Sequence, residues 1–307
     1  MLKITAIEGN SQRLDGGAMF GNAPRAVWEK WCQPDNRGRI KLACRAMLVE
    51  VEGLPLSKQK VNILCETGIG CFFEPKLAER FGVEEREHIL LKNLSERAGL
   101  NEQDIDYVIL SHLHFDHAGG LMRSYEDLQK GNTDLLFVNA QYLVSEVAFS
   151  RALKPHARDQ ASFILGMTEK LLASGRLKII KSNADIPAEL RGILNFIFTE
   201  GHTPGQMHAV FTDNYSNDKT PMVVFAGDLI PGLAWLHSPI TMGYDRFPEK
   251  LIDEKLELYE KIKPSDYIFF THDVDVAMAR VELNNQHKMA AINVVTNEEC
   301  FRVELTR

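Results

Sequence analysis

The sequence predicts an α/β protein, because strand-like runs and amphipathic helical segments alternate along a chain that has enough apolar residues for a buried core. Short runs rich in Val, Ile, Leu and Phe recur throughout the 307 residues. Helical periodicity marks the segments 140–175 and 247–263. Hydrophobic residues make up 45% of the chain, which is ample for the core of one large domain.

No feature of the sequence divides the chain into two domains. It contains no internal repeat, no low-complexity tract and no Ser/Gly-rich linker. We therefore expect a single domain over residues 1–307, with a helical insert at about 141–174. The helical pattern of this insert is broken at Pro155.

A hairpin is predicted near the start of the chain. The β-rich runs 39–53 and 60–68 are separated by the turn-prone segment 54–59, LPLSKQ.

A short helix is predicted within residues 93–106. Asn93 is the candidate N-cap, and Gly99 lies near the expected end of the helix. This helix leads into a strand at 106–111, after which a loop rich in histidine begins.

The second half continues with strands and one strongly amphipathic helix. The strand-like runs are 134–140, 176–181, 194–201, 208–213, 221–228 and 266–273. The helix occupies 247–263 and stops before Pro264, and its Glu/Lys-rich face is expected to be solvated surface.

The loop Ser111–Gly120, SHLHFDHAGG, holds three histidines and one aspartate within six positions. His112 and His114 alternate with Leu113, so an extended backbone can direct both at one point, while Asp116 and His117 can turn towards a second. Imidazole nitrogen and carboxylate oxygen together suit borderline-soft divalent metals.

Three further strand ends are each followed by a metal-binding type of side chain, namely His202, Asp228 and His272. A lone histidine after a strand is ordinarily a polar residue satisfied by hydrogen bonds. Four separate loops that offer ligands at equivalent places favour a metal site instead.

The motif HLHFDH resembles the HxHxDH signature of the metallo-β-lactamase superfamily. The likeness extends in the family's order to AMLVE…NILCETGIG, GLNEQDIDYVILSHLHFDHAGGL, GHTPGQMH, FAGD and THD, over roughly residues 40–275. It implies an αββα four-layer sandwich, in which two mixed β-sheets are flanked by helices and a metal site lies along one edge. It specifies a fold more closely than a substrate.

The resemblance also implies ligands for two divalent metal ions. The first ion would take His112, His114 and His202, the second Asp116, His117 and His272, and both would share Asp228. This count leaves room for a water between the ions. Zinc is the expected metal, and manganese, iron and cobalt are the alternatives.

Differences within the superfamily narrow the implied activity. True β-lactamases lack an aspartate at the place of Asp228, and flavodiiron oxidoreductases typically have a glutamate at the place of His114. RNA-processing nucleases share all seven ligands, but the acidic charge of this chain opposes a large polyanion. Glyoxalase II-like thioesterases differ in the N-terminal segment and in the insert.

The segment after Asp228, GDLIPGLAWLHSPITMGYDRFP, resembles the acyl-homoserine-lactone lactonases and the YtnP-like group. This resemblance implies a dinuclear hydrolase of a small ester or lactone, which includes quorum-quenching lactonases. Phosphotriesterase or phosphodiesterase chemistry on the same fold is the alternative reaction. A non-catalytic metal-binding partner protein is the alternative from another class, and the presence of all seven ligands favours the enzyme.

The implied mechanism uses two cations that share a water and lower its pKa from about 15.7 towards neutrality, which supplies hydroxide as nucleophile. Asp116 is the candidate for passing a proton to the leaving alkoxide. Tyr244, in the Met-x-Tyr-Asp tetrapeptide 242–245, is the candidate donor to the substrate oxygen. Alternatively, Tyr244 only packs the loop.

Two features near the site leave alternatives open. Glu66 stands where the family commonly has an aspartate, and it either supports the metal loops in the same way or weakens the site. Five aromatic and imidazole side chains could surround an acyl chain or a ring of the substrate, namely Trp235, His237, Tyr142, Phe149 and Phe163. For the last three, which belong to the insert, the alternative is that they pack onto the sandwich.

The charge and the cysteines bear on partners and compartment. A net charge of −7 and a pI near 5.8 argue against nucleic acid and anionic membranes as partners, and favour a small-molecule substrate. The start of the chain shows no secretory signal, and no segment has the length of a membrane span. The five cysteines are scattered without a CxxC spacing, which favours a cytoplasmic protein with free thiols over a redox pair between Cys65 and Cys71. The sequence leaves the formation of a homodimer open.

Overall fold

The structure is a computed structural model that describes residues 2–54, 56, 60–212, 221–284 and 288–296. The strands in these ranges are β1 (Leu2–Ile7), β2 (Gln12–Asp15), β3 (Arg39–Leu42), β4 (Ala46–Val51), β5 (Val61–Cys65), β6 (Tyr107–Ile109), β7 (Gln141–Ser145), β8 (Leu177–Ile180), β9 (Leu194–Thr199), β10 (Gln206–Phe211), β11 (Val223–Phe225), β12 (Tyr267–Phe269), β13 (Val276–Leu283) and β14 (Met289–Thr296).

The α-helices in the same ranges are α1 (Gly16–Phe20), α2 (Arg25–Trp28), α3 (Pro75–Phe81), α4 (Ile89–Ala98), α5 (Phe115–Ala118), α6 (Tyr125–Gln129), α7 (Glu146–Leu153), α8 (Met167–Ala173) and α9 (Pro248–Lys261). Short 3-10 helices lie at Glu102–Asp104, Gly119–Leu121, Gln160–Ser162, Asn183–Asp185, Ala188–Leu190, Gly227–Leu229 and Leu233–Leu236. None of these helices combines the length and the apolar character that a membrane span requires.

Two mixed sheets of six strands each form the centre of the fold. The first sheet has the order β1-β4-β5-β6-β7-β8 and the second the order β14-β13-β12-β11-β10-β9. In the first sheet β5 to β8 run parallel, and in the second β11 and β12 run parallel while the other neighbours are antiparallel. The strands β2 and β3 form a separate ribbon.

Apolar side chains fill the space between the sheets and cover both outer faces. In β4, Met47 and Val49 belong to the cluster between the sheets, whereas Leu48 belongs to the cluster under the helices. Strands that are buried on both faces are apolar almost throughout, which explains the long hydrophobic runs in the sequence. Leu94 of α4 covers the first sheet and Leu258 of α9 covers the second. The predicted αββα sandwich of mixed sheets is confirmed.

The strand directions bring the ends of four strands to one edge of the sandwich. In the second sheet β9, β11 and β12 point the same way, because β10 is antiparallel to both β9 and β11. His202, Asp228 and His272 follow these three strands, and the histidine loop follows β6 of the first sheet.

The predicted hairpin and most of the predicted strands are confirmed. β4 and β5 pair antiparallel from Met47 with Cys65 to Val51 with Val61. In the turn between them, residues 55 and 57–59 lie outside the described residues.

The prediction of Asn93 as a helix N-cap was wrong. The helix α4 begins four residues earlier, and the side chain of His88 accepts a hydrogen bond from the backbone N–H of Leu91 at 3.4 Å. The amide of Asn93 instead donates to the carbonyl of Glu8 at 2.9 Å. Gly99 ends the helix in the left-handed conformation, as predicted.

The prediction of a strand at 134–140 was also wrong. Phe137 has φ of 58°, which a strand cannot accommodate, and the residues before it form a loop that packs Leu135 and Leu136 into the core. The strand lies just after this loop, as β7. The predicted helical insert therefore starts with a strand of the first sheet, and its helices are α7 and α8.

One residue of α9 departs from the expected solvated face. Lys255 is fully buried, and its side-chain nitrogen donates to the carbonyls of Trp235 at 2.9 Å and Ile240 at 2.6 Å. Lys255 lies on the same helix face as the buried Leu251 and Leu258. It therefore fastens α9 to the segment that follows Asp228.

Candidate metal centre

The structure brings all seven predicted ligands together at the edge described above. Each of them is buried, and Asp116 is the most exposed at 9%. Their donor atoms fall into two separate groups with one carboxylate between them. The seven are His112, His114, Asp116, His117, His202, Asp228 and His272.

The first group consists of three histidines whose donor nitrogens lie within 4.8 Å of one another, namely His112, His114 and His202. Nε2 of His112 is 2.9 Å from Nδ1 of His114, and Nε2 of His202 is 3.2 Å from the same Nδ1. Three converging imidazole nitrogens form a donor set that suits zinc and similar divalent ions.

The second group consists of one carboxylate and two histidines, Asp116, His117 and His272, again with donor atoms within 4.8 Å. Oδ1 of Asp116 is 3.6 Å from Nε2 of His117, and Oδ2 is 3.7 Å from Nε2 of His272. This donor set also suits a divalent ion.

Asp228 lies between the two groups, with one oxygen towards each. Its Oδ2 is 3.2 Å from Nε2 of His202, while its Oδ1 is 3.2 Å from Nε2 of His117 and 3.1 Å from Nε2 of His272. Oδ1 of Asp228 and Nε2 of His117 are buried and have no hydrogen-bond partner among the described residues. Buried polar atoms without partners are uncommon, and a bound cation would satisfy these two.

Glu66 contacts the side of the centre that faces away from the cavity, through His117 and Ser111, as the resemblance implies for the family's aspartate. Its Oε2 accepts from Nδ1 of His117 at 2.7 Å, and its Oε1 accepts from the hydroxyl of Ser111, which in turn lies 2.9 Å from Nδ1 of His112. Glu66 has φ of 63°, in the left-handed region that residues other than glycine rarely adopt.

The remaining histidines are oriented by other partners. Nδ1 of His202 lies 2.9 Å from Oδ1 of Asp245, and Nδ1 of His272 lies 2.6 Å from the carbonyl of Ala43. The ring of His114 is oriented by packing. Its Nε2 has no hydrogen-bond partner in the described ranges, and the ring packs edge-on against Phe163. Such outer partners fix the tautomer and orientation of ligand histidines.

Local backbone geometry explains why the histidine loop contains glycines. The short helix α5 begins after His114 and turns Asp116 and His117 away from the preceding extended residues. A Cβ on Gly120 would lie 1.9 Å from the carbonyl oxygen of Thr67, so this loop can approach the Glu66 loop only with glycine there. Gly227, before Asp228, has φ of 49° for the same kind of close packing.

Burial and charge set the protonation of the ligands. Burial lowers the pKa of His112 and His114 well below the usual value, so both imidazoles are neutral and can bind a cation. Burial raises the pKa of Asp228, but the adjacent histidines outweigh it and bring the pKa well below its usual range. Burial opposes protonation of His117 and His272, yet nearby carboxylates raise the pKa of both well above the usual value. The negative charge that raises these values also attracts a metal ion.

A cavity of about 130 Å³ opens over the centre. Its walls are mainly apolar and include Leu14, Met19, Phe81, Phe115 and Met242, together with Tyr244. No lysine or arginine is among the described residues that line it.

The structure separates the predicted pocket residues. Tyr244 lines the cavity and is 41% exposed, and Phe163 contacts His114 beside it. Tyr142 is instead buried under the first sheet, with its hydroxyl donating to the carbonyl of Leu136 at 2.6 Å, and Phe149 packs against the same cluster. Of the two alternatives for Tyr142 and Phe149, packing onto the sandwich is therefore confirmed, and neither side chain is among the described residues that line the cavity.

Trp235 and His237 also lie away from the cavity. The indole N–H of Trp235 donates to the carbonyl of Met19 at 3.0 Å, and its ring stacks on Phe20. His237 lines a different surface pocket together with Trp235. The prediction that these two side chains surround the substrate was wrong, since neither is among the described residues that line the cavity over the centre.

Two functional contacts were missed from the sequence. Asp245 orients His202, and the only sequence signal was its place in the Met-x-Tyr-Asp tetrapeptide. Gln12, near the N-terminus, donates to Oδ2 of Asp116 at 2.8 Å, and nothing in its local sequence indicates this.

Comparisons with known proteins agree with this geometry. The sequence model of the Metallo-beta-lactamase superfamily matches residues 58–127. The N-acyl homoserine lactonase AiiA of Bacillus thuringiensis subsp. kurstaki is 25% identical over 214 residues, which cover 67% of this chain and 69% of that protein.

Solved structures share the fold over almost the whole chain. A probable metal-dependent hydrolase from Staphylococcus aureus has a TM-score of 0.77 and 24% identity, and the match covers 96% of this chain and 98% of that one. AidC, a dizinc quorum-quenching lactonase in complex with a product, has a TM-score of 0.69 and 19% identity, with 95% and 94% covered. Sequence and fold thus agree across the region of the histidine loop: residues 58–127 match the superfamily model, and the chain has the metallo-β-lactamase fold.

Proposed function

We propose that this protein is a dinuclear metal-dependent hydrolase of small, uncharged esters or lactones. The observation that carries the proposal is the position of Asp228, whose two carboxylate oxygens face different groups of ligands at 3.1–3.2 Å. A carboxylate in this position can bind two ions at once. His112, His114 and His202 would hold one ion, and Asp116, His117 and His272 the other.

Bound divalent ions would supply the positive charge that lowers the pKa of a water molecule from about 15.7 towards neutrality and polarises an electrophilic oxygen. The protein's own residues prepare the site for this chemistry. Glu66 and Asp245 hold the rings of His117 and His202, so that the donor nitrogens are already directed inwards. Such preorganisation reduces the rearrangement needed when the ions bind.

Asp116 and Tyr244 are the proposed catalytic side chains. Both line the cavity, so both can reach a substrate there. The carboxylate of Asp116 would carry a proton to the leaving oxygen. Burial raises the pKa of Tyr244, so its phenol stays protonated at neutral pH and can donate a hydrogen bond to an oxygen that gains negative charge.

The cavity supports an uncharged substrate. Its apolar walls favour a short acyl group or a ring, and the lack of lysine or arginine among the described lining residues offers no partner for a carboxylate or a phosphate. Esters and lactones meet this description better than β-lactam acids or RNA. The similarity to N-acyl homoserine lactonases, at 25% identity, supports a lactone as the substrate class.

A hydrolysis panel tests the proposal. Homoserine lactones, aryl esters, phosphotriesters, phosphodiesters, thioesters, penicillins and RNA would be compared on one zinc-loaded preparation, with chelator-treated protein as the control. We expect lactones or aryl esters to be hydrolysed fastest, and activity to return when zinc is restored. Preference for a phosphotriester would establish the alternative reaction, and no metal-dependent turnover on any substrate would favour a binding protein.

We also propose a cytoplasmic location. Cys32, Cys44, Cys65 and Cys71 are free thiols, which suits a reducing compartment, and Cys300 lies outside the described residues.

A further inference from the structure

A buried amide from the N-terminal part of the chain contacts the centre. Gln12 is the first residue of β2 and is fully buried. Its Nε2 donates to Oδ2 of Asp116 at 2.8 Å, although the two residues are 104 positions apart. An ionised carboxylate can only accept hydrogen bonds, so the contact fixes which end of the Gln12 amide faces Asp116.

We propose that Gln12 is a positioning residue, which holds the carboxylate of Asp116 in the orientation that binds the second metal ion. The inference rests on the proposed function, because the second ion is part of it. Gln12 acts through Asp116 and does not itself reach the predicted ions.

Asp116 needs such a partner more than the other ligands do. The histidines of the second group are held by Glu66 and by the carbonyl of Ala43. Asp116 is the most exposed of the seven ligands, and its oxygens lie 3.6 and 3.7 Å from the two histidine nitrogens. With Oδ2 held by Gln12, Oδ1 stays directed towards His117, and rotation of the carboxylate would break the bond.

Gln12 is itself held rigidly by the two residues before it. The amide of Asn10 donates to the carbonyls of Glu85 at 3.2 Å and Glu87 at 2.7 Å, and its oxygen accepts from the N–H of Ile89 at 3.1 Å. The backbone N–H and hydroxyl of Ser11 donate to the carboxylate of Glu85 at 2.8 and 2.7 Å. The segment 10–12 is therefore fixed to the residues that precede α4.

The oxygen of the Gln12 amide indicates that a stabilising role alone does not explain why a glutamine occupies this position. Its Oε1 is buried without a hydrogen-bond partner among the described residues. A buried acceptor without a partner lowers stability, and an apolar side chain of similar size would remove that cost. The contact with Asp116 is the contribution that such a side chain could not make.

Stepwise zinc titration of the metal-free protein against a chromophoric chelator tests the inference. Gln12→Met keeps the size of the side chain and removes the donor. We expect it to weaken one of the two binding steps by about 10- to 100-fold, as the loss of other outer partners of ligands does, and to leave the other step unchanged. Equal affinity for both steps in Gln12→Met and wild type would overturn the inference.

Two comparisons separate positioning from a structural role. In an Asp116→Asn background, Gln12→Met should cause no further loss of zinc affinity, because the residue it acts through is already altered. Thr5→Val is the control, since Thr5 lies in β1, is also buried, and its hydroxyl has no partner in the described residues. An equal effect of Thr5→Val, or a full additional loss in the Asp116→Asn background, would contradict positioning through Asp116.

The same titration distinguishes this inference from the proposed function. Wild-type protein that binds a single zinc ion would refute the dinuclear proposal. Wild-type protein that binds two ions, together with an unaffected Gln12→Met variant, would refute only the role of Gln12.

Discussion

Lys255 gives a prediction in which the stability of the protein depends on pH. Burial lowers the pKa of its amine from 10.5 to about 7, and the nearby charge of Asp245 opposes this only in part. The amine has two carbonyl partners, those of Trp235 and Ile240. A neutral amine has two N–H donors and matches them, whereas an ammonium has a third donor.

The direction of the effect follows from proton counting. Between pH 7 and 10.5 the unfolded chain holds a proton on Lys255 that the folded chain has lost, so the free energy of unfolding rises with pH in this window. The slope is at most about 1.4 kcal/mol per pH unit for one group. Lys255→Met removes the group and with it this contribution.

Urea unfolding of wild type and Lys255→Met at pH 7.5, 8.5 and 9.5 measures the effect. We expect the free energy of unfolding of wild type, relative to Lys255→Met, to increase by about 2–3 kcal/mol across these two pH units. Lys261→Met, at the exposed end of the same helix, is the control, and its difference from wild type should stay constant. Parallel pH profiles of wild type and Lys255→Met would refute the reasoning.

Three further predictions concern the centre. Asp228→Ala should lose nearly all activity and bind fewer than two ions per chain, because the shared ligand is removed; elemental analysis that still gives two ions would contradict this. Tyr244→Phe should lower kcat by about 10²–10³-fold with little change in KM or metal content, and an unchanged kcat would remove Tyr244 from the catalytic residues. Asp245→Asn should weaken zinc binding by about 10- to 100-fold, because His202 loses a charged partner. Excess zinc should restore the activity of this variant. An unaltered zinc affinity would show that Asp245 does not orient His202.

The grouping of the ligands at one edge could be predicted because it depends on local features. Each predicted ligand lies in a loop or short helix that follows the end of a strand, and strands of the same direction end at the same edge of a sheet. The alternation of His112 and His114 around Leu113 is equally local. These signals survive in a single sequence because they need no knowledge of which distant segments meet.

The contacts that support the ligands could not be predicted, because they join distant segments. Gln12 and Asp116 are 104 positions apart, and His202 and Asp245 are 43 apart. The strand prediction for residues 134–140 was wrong for another reason, since the apolar residues of this segment pack a buried loop rather than a strand. The burial of Lys255 could have been predicted locally, because its spacing from Leu251 and Leu258 places it on the apolar face of α9.

The walls of the cavity are connected to the predicted metal ligands, and on the proposed function this limits how the substrate preference can change. Tyr244 is adjacent to Asp245, which holds His202, and Leu14 lies two residues from Gln12, which holds Asp116. Substitutions that reshape either wall through the backbone would therefore also alter metal retention. Ala161 and Ser162 line the cavity from a short 3-10 helix in the insert, and the next residue, Phe163, packs its ring against His114. On the proposed function, a change of substrate preference through any of these three walls is therefore expected to change metal affinity as well.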